Sequence, residues 1–230
     1  MCGVSVGDRG PDEVSASARR IGIEIGDELA VSLATFAELL ADRAVPLGML
    51  ARDEIDRIVP RHVVDSLRAA PAIRQLKARS VVDLGSGAGL PGIVAAIALP
   101  DVALTLAEVR SKRAAFLELA VERLSLTNVT VHPARAEELP GRSFDVATAR
   151  AFAPPLEAWD VAHRLLRAGG SLVLFAGARE RVQEEFPGAH HERFRFETIR
   201  ERHGDPDDSW RTSPSTGLAT GGDLVIITST

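Results

Sequence analysis

The sequence predicts a doubly wound, Rossmann-like α/β sheet with an N-terminal helical extension. Three observations predict it. From residue 80 onward, short β-branched runs alternate with helical segments. A glycine-rich turn closes the first of these runs. Before residue 80 only helical periodicity is seen. The bulk numbers agree: 230 residues, 45% hydrophobic and 26% charged, fit one globular domain with an appendage, or at most two small domains.

The elements follow in order. Residues 1–20 mix Gly, Ser, Asp and Arg without period, which predicts a loose tail. They hold no continuous apolar stretch, so no secretory leader is expected. Residues 21–78 form the helical extension. Leu29, Leu33, Phe36, Ala37 and Leu40 recur at helical spacing. A short charged helix is expected around Arg52–Ile58, another after Pro60 through Leu67, and a third through Ile73 and Leu76. Residues 79–230 hold the sheet. Its strands are expected at Ser80–Leu84, Val102–Ala107, Asn128–His132, Phe144–Ala149 and, after the Gly169-Gly170 turn, Ser171–Ala176. Helices are expected at Pro91–Leu99, Arg110–Leu124 and Leu156–Leu166. Two late runs, His191–Ile199 and Asp223–Thr228, lack an intervening helix and predict an antiparallel pair at the sheet edge.

Composition excludes several classes. One cysteine, Cys2, leaves no disulfide framework and no cysteine metal cluster. No apolar run reaches membrane-spanning length. A net charge of -5 is not that of a globally basic nucleic-acid binder. It leaves room for a local basic patch. With no tyrosine and 4% aromatics, base-stacking platforms are scarce. His190-His191-Glu192 lacks further spaced ligands, so no metal is expected. Arg193, Arg195, Arg200 and Arg202 suit a phosphate-facing stripe, but interleaved Glu192, Glu197 and Glu201 suit a charge-balanced edge strand better.

The chemistry concentrates at Asp83-Leu84-Gly85-Ser86-Gly87-Ala88-Gly89-Leu90. Glycines allow a sharp turn and let a ligand approach the backbone closely. The following helix presents amides and a positive dipole end. Glu108, after the second strand, stands where an acid can bind ribose hydroxyls. A dinucleotide fingerprint needs Gly three residues after Gly87, where this chain has Leu90. No Walker lysine follows either. The G-x-G-x-G spacing after an acid is instead similar to the methyltransferase turn. On that likeness Asp83 either orients the turn or meets a methionine ammonium. Ala136 and Glu137 follow the third strand, where this fold meets an adenine ring. Glu137-Glu138 reads equally well as a solvated charge pair.

Further segments extend the likeness. Arg61-His62-Val63-Val64-Asp65-Ser66-Leu67, the turn continued through Pro91-Gly92, Lys112-Arg113-Ala114-Ala115-Phe116-Leu117 and Ala149-Arg150-Ala151-Phe152 together resemble the bacterial 16S ribosomal RNA guanine-N7 methyltransferase family (RsmG, also called GidB). The resemblance covers about residues 60–175. It implies a class I methyltransferase fold, S-adenosylmethionine as cofactor, small-subunit ribosomal RNA as partner and a cytoplasmic location. It implies cofactor binding by Asp83, Gly85, Ser86, Gly87, Gly89, Leu90, Glu108, Ala136 and Glu137. Arg150 would lie near the sulfonium and target base as a catalytic and cofactor-facing group, unless it is an ordinary surface arginine. His62 and Asp65, one helical turn apart, would close the pocket toward substrate or else serve helix packing.

The chain departs from the family in three places. Ala41-Asp42-Arg43-Ala44-Val45-Pro46-Leu47 replaces the family's Trp-Asn and Asn-Leu-Thr signature. Phe175-Ala176-Gly177-Ala178 lacks the usual lysine, and Leu224–Thr228 lacks basic residues. These positions are the ones expected to meet RNA. Two alternatives therefore stand beside an rRNA methyltransferase. One is a paralogue acting on another acceptor through a wide apolar pocket of Phe152, Trp159, Trp210 and the N-terminal helices. The other is a non-catalytic module of the same fold.

Overall fold

The computed structural model describes residues 9–176, 182, 186, 194–199 and 223–229. Among these residues the sheet has seven strands: β1 Ser80–Leu84, β2 Ala103–Ala107, β3 Val129–His132, β4 Phe144–Arg150, β5 Leu166–Phe175, β6 Phe194–Ile199 and β7 Leu224–Ser229. Their order is β3-β2-β1-β4-β5-β7-β6. Strands β1 to β5 pair in parallel, and β7 inserts antiparallel between β5 and β6. The chain therefore leaves β1 in one direction and β4 in the other. This reversal opens a crevice at the carboxyl ends of the strands.

The helices are α1 Pro11–Arg20, α2 Asp27–Leu39, α3 Asp65–Leu67, α4 Ala69–Gln75, α5 Gly92–Ala98, α6 Ser111–Arg123 and α7 Pro155–Leu165. Two cores lie on either side of the sheet. Val81, Leu104, Leu106 and Val146 face α2, α4 and α5. Val82, Leu84, Ala147, Ala149 and Leu172 face Trp159, Ala162 and Leu165 of α7. Strand residues alternate between these cores, as a period of two requires. Trp159 is thus a core residue, 4% exposed, and not the wall of a substrate pocket. Trp210 and His190-His191-Glu192 lie outside the described residues, as do the side chains of Arg193, Arg195, Arg200 and Arg202.

The expected loose tail is corrected over residues 11–20, which form α1. Pro11 stands at its start, Asp12 and Glu13 fill its first turn, and Arg19 and Arg20 its last. That distribution complements the helix dipole. Val14 and Ala18, one turn apart, are fully buried. Only two apolar positions in ten carry the packing, too few to show as periodicity. The helical extension therefore begins by Pro11.

Two other differences are local. The expected break at Gly169-Gly170 is a bulge within β5: Phe144 pairs with Leu166, yet Val146 pairs with Ser171. The segment after Pro60 opens as a π-helix, Ile58–Val64, before α3. A second π-turn, Leu40–Ala44, ends α2, with Val45 N donating to Leu40 O at 3.0 Å. Such wide turns are uncommon and cluster near functional sites. Among the described residues no helix is long and apolar enough to cross a membrane.

Candidate cofactor site at the carboxyl edge of the sheet

The turn after β1 is built from the inside. Asp83 is 1% exposed. Its Oδ1 accepts from Thr148 Oγ1 at 2.7 Å and its Oδ2 from the Gly92 amide at 3.2 Å. Thr148 is its register partner on β4. The acid therefore ties β1 to β4 and to the start of α5. Of the two roles open to Asp83, the geometry supplies the first: it orients the turn. Burial pushes its carboxyl up to about 6, and hydrogen bonds from Thr148 and Gly92 offset this only in part.

Gly92 is as constrained as the acid. A Cβ there would lie 2.4 Å from Leu106 Cδ2 and 2.6 Å from Asp83 Oδ2. Gly85, Gly87 and Gly89 all take positive φ, at 63°, 56° and 85°. Ser86 closes the turn: its amide donates to Ala107 O at 3.0 Å and its Oγ to Asp83 O at 3.1 Å. Gly89 N and Leu90 N both donate to Ser86 O. The amides expected to point freely from the helix start are engaged. Gly92 N serves Asp83, and Ile93 N donates to Gly89 O at 2.8 Å. A dipole-held anion is not what this short helix offers.

Glu108 lies at the mouth of the turn and is 4% exposed. One oxygen accepts from Gly87 N at 3.0 Å, the other from Arg110 N at 2.8 Å. Arg113 Nη1 is 3.9 Å away. A carboxylate has about four acceptor sites, and two amides leave room for a pair of vicinal hydroxyls. Ala136 is buried and opens a 3-10 turn, Ala136–Glu138, after β3. Glu137 beside it is exposed.

Arg150 ends β4 and points at the helical extension. Nη1 donates to Ser66 Oγ at 2.8 Å and to His62 O at 3.3 Å. Nη2 donates to Arg61 O at 2.9 Å and lies 3.3 Å from Asp65 Oδ2. Through these contacts Arg150, the expected catalytic arginine, joins the sheet to the π-helix and α3. Asp65 is 2% exposed and shared by Arg68 at 2.9 Å and Arg150, so it anchors these cations. His62 Nε2 lies 3.2 Å from Glu54 Oε2 without hydrogen-bond alignment. Burial first, then the Arg150 charge, pushes the imidazole down to about 4. At neutral pH this is a neutral ring against a carboxylate, not a salt bridge.

Two phenylalanines touch the turn without having been singled out as ligands of it. Phe36 of α2 lies 3.2 Å from where a Gly89 Cβ would be, and Phe152 lies 2.7 Å from the corresponding point at Gly85. Helical periodicity marks Phe36 as core. Nothing local marks either as a neighbour of the glycines.

A family model described as GidB, rRNA small subunit methyltransferase G, matches residues 30–200. The chain belongs to this family. The ribosomal RNA small subunit methyltransferase G of Thermobifida fusca is 44% identical over 158 residues, 68% of this chain and 65% of that protein. Its counterpart in Acidothermus cellulolyticus is 42% identical over 157 residues, 68% of each chain. The match thus spans about two thirds of the length of these relatives. Among solved structures, the O-methyltransferase TomG of Streptomyces achromogenes in complex with SAM aligns with TM-score 0.59 at 17% identity, over 95% of this chain and 96% of that one. An O-methyltransferase of Bacillus cereus in complex with SAH aligns with TM-score 0.61 at 16% identity, over 96% and 100%. At such identities the likeness is one of fold, the class I methyltransferase sheet. The GidB family's cofactor is S-adenosylmethionine, and the residues present fit it. Glu108 supplies a buried carboxylate suited to ribose, and it already accepts from the Gly87 amide of the turn at 3.0 Å.

Proposed function

We propose that this chain transfers a methyl group from S-adenosylmethionine to guanine N7 of small-subunit ribosomal RNA. One observation carries the donor half: a buried Glu108 carboxylate that touches the Gly87 amide with acceptor capacity to spare. The acceptor half rests on the printed names of the relatives, ribosomal RNA small subunit methyltransferase G, and on the guanine-N7 resemblance of the sequence. Gly85, Ser86, Gly87, Gly89 and Leu90 form the cradle, Glu108 holds the ribose, and Ala136 with Glu137 borders the adenine. Asp83 shapes the cradle from beneath. Residues 79–230 make the donor-binding domain, with the helices before them as its cover. The partner is ribosomal RNA, and the place of work is the cytoplasm.

Bound S-adenosylmethionine supplies an electrophilic methyl on a sulfonium. Guanine N7 carries a free lone pair, so no proton leaves before attack and neither a general base nor a metal is required. The protein's part is to hold donor and base in line and to shape the field around them. Arg150 contributes by fixing Arg61, His62 and Ser66 against the edge of the crevice. The test is tritium transfer from labelled S-adenosylmethionine to small subunits that lack the modification. Label in guanine N7 is expected. Absence of label on both naked RNA and assembled subunits, with the donor bound, refutes the acceptor assignment.

A further inference from the structure

We propose that Phe152 is a donor-selectivity residue: its ring, seated on Gly85, forms the wall against which the charged sulfonium rests. The inference deepens the donor reading above and rests on it.

The placement follows from strand order. Across the carboxyl edge the sheet runs β3, β2, β1, β4. Ala136 follows β3, Glu108 follows β2, the glycine turn follows β1, and Phe152 follows β4. A nucleoside with its ribose at Glu108 and its base toward β3 directs its 5′ substituent toward β1 and β4. The sulfur is bonded directly to the 5′ carbon, one carbon beyond the ribose ring. It therefore comes to Gly85 and whatever covers it.

What lies against Gly85 is the Phe152 ring. Ala151 takes φ 51° directly after Arg150, which folds the chain back over the edge. A Cβ on Gly85 would stand 2.7 Å from Phe152 Cδ2, 3.3 Å from Cε2 and 3.7 Å from Cγ. The ring thus fills the place where a side chain on Gly85 would stand, and it is half-buried, packed against the core. Positive φ at a non-glycine residue is uncommon and marks a backbone held in place by its surroundings. Here Arg150, pinned by two contacts to the π-helix and two to α3, supplies that hold.

A cation within about 6 Å of an aromatic centroid is attracted by the ring's quadrupole. The sulfonium carries a full charge and the product thioether none. Transfer breaks the sulfur–methyl bond, returns its electron pair to sulfur and moves the positive charge to the methylated base. The ring contact is therefore present with the donor and lost with the product, which favours exchange of product for fresh donor.

Calorimetric titration of the full chain with S-adenosylmethionine and with S-adenosylhomocysteine tests this. Phe152→Leu and Phe152→Met keep an apolar side chain of similar bulk, and Phe152→Tyr keeps the ring. Thermal melts select the variants that fold. The preference for sulfonium over thioether should fall about tenfold in the Leu and Met variants and persist in the Tyr variant. An unchanged preference in Leu and Met overturns the proposal, whether both affinities hold or both fall together. Loss of the preference in Tyr overturns it too. If the unaltered protein binds neither ligand, the donor reading itself fails and the proposal with it.

Discussion

Replacing Asp83 by Asn should stabilise the protein at neutral pH relative to acid. The carboxyl is buried, with a pKa raised from 3.8 to about 6. A carboxyl raised in this way favours the fold while protonated. That contribution is complete below about pH 3.8 and is lost as pH rises through about 6. The full difference corresponds to about 3 kcal/mol, and between pH 4.5 and 7.5 to about 2 kcal/mol. Asn keeps the shape and stays neutral. Its oxygen can accept from Gly92, and its amide can donate to Thr148. Whatever that exchange costs does not depend on pH, so it cancels in the difference between the two pH values. His62, lowered to about 4, acts in the opposite sense, its neutral form losing ground as pH falls below 6.5. It is present in both proteins and also cancels. Urea denaturation of both proteins at the two pH values gives the number. The midpoint of Asp83→Asn should gain about 1 M on the parent between pH 4.5 and 7.5. Parallel pH profiles, with the difference constant to within about 0.5 kcal/mol, would show that Asp83 is not held protonated by burial.

Three further outcomes follow from the same contacts. Gly92→Ala drives a Cβ into Leu106 and the Asp83 carboxylate, and should cost about 1–3 kcal/mol, read as a lower thermal midpoint with weaker donor binding. Glu108→Gln can no longer accept both the Gly87 and Arg110 amides, so S-adenosylmethionine affinity should fall at least tenfold by calorimetry while the fold persists; unchanged affinity would remove Glu108 from the site. Arg150→Met leaves Asp65 buried with Arg68 as its remaining partner among these cations and should cost about 3–5 kcal/mol in urea, whereas an arginine facing only the acceptor would alter turnover and leave stability alone.

The sheet was legible because its signals are local. A strand of five residues, a glycine turn and an amphipathic helix each announce themselves within a dozen positions, and Asp83, Gly85 and Glu108 stand where those patterns place them. α1 was missed because two buried apolar residues, Val14 and Ala18, do not outweigh a polar composition in a window of ten. The bulge before Ser171 showed only as a turn, since the pairing of Phe144 with Leu166 is made across the sheet.

By itself, then, the chain of residues determined the strand-and-helix alternation, the bend after β1 and the acid that faces it, all products of backbone preference and periodicity. Only the folded molecule decided what the charged groups do. Arg150 reaches Ser66, His62 and Arg61 across 84 to 89 residues of sequence, and Thr148 reaches Asp83 across 65. Whether a guanidinium meets a carbonyl or a substrate depends on which surfaces burial brings together. Hydrophobic packing sets that without regard to separation along the chain, so no local pattern encodes it.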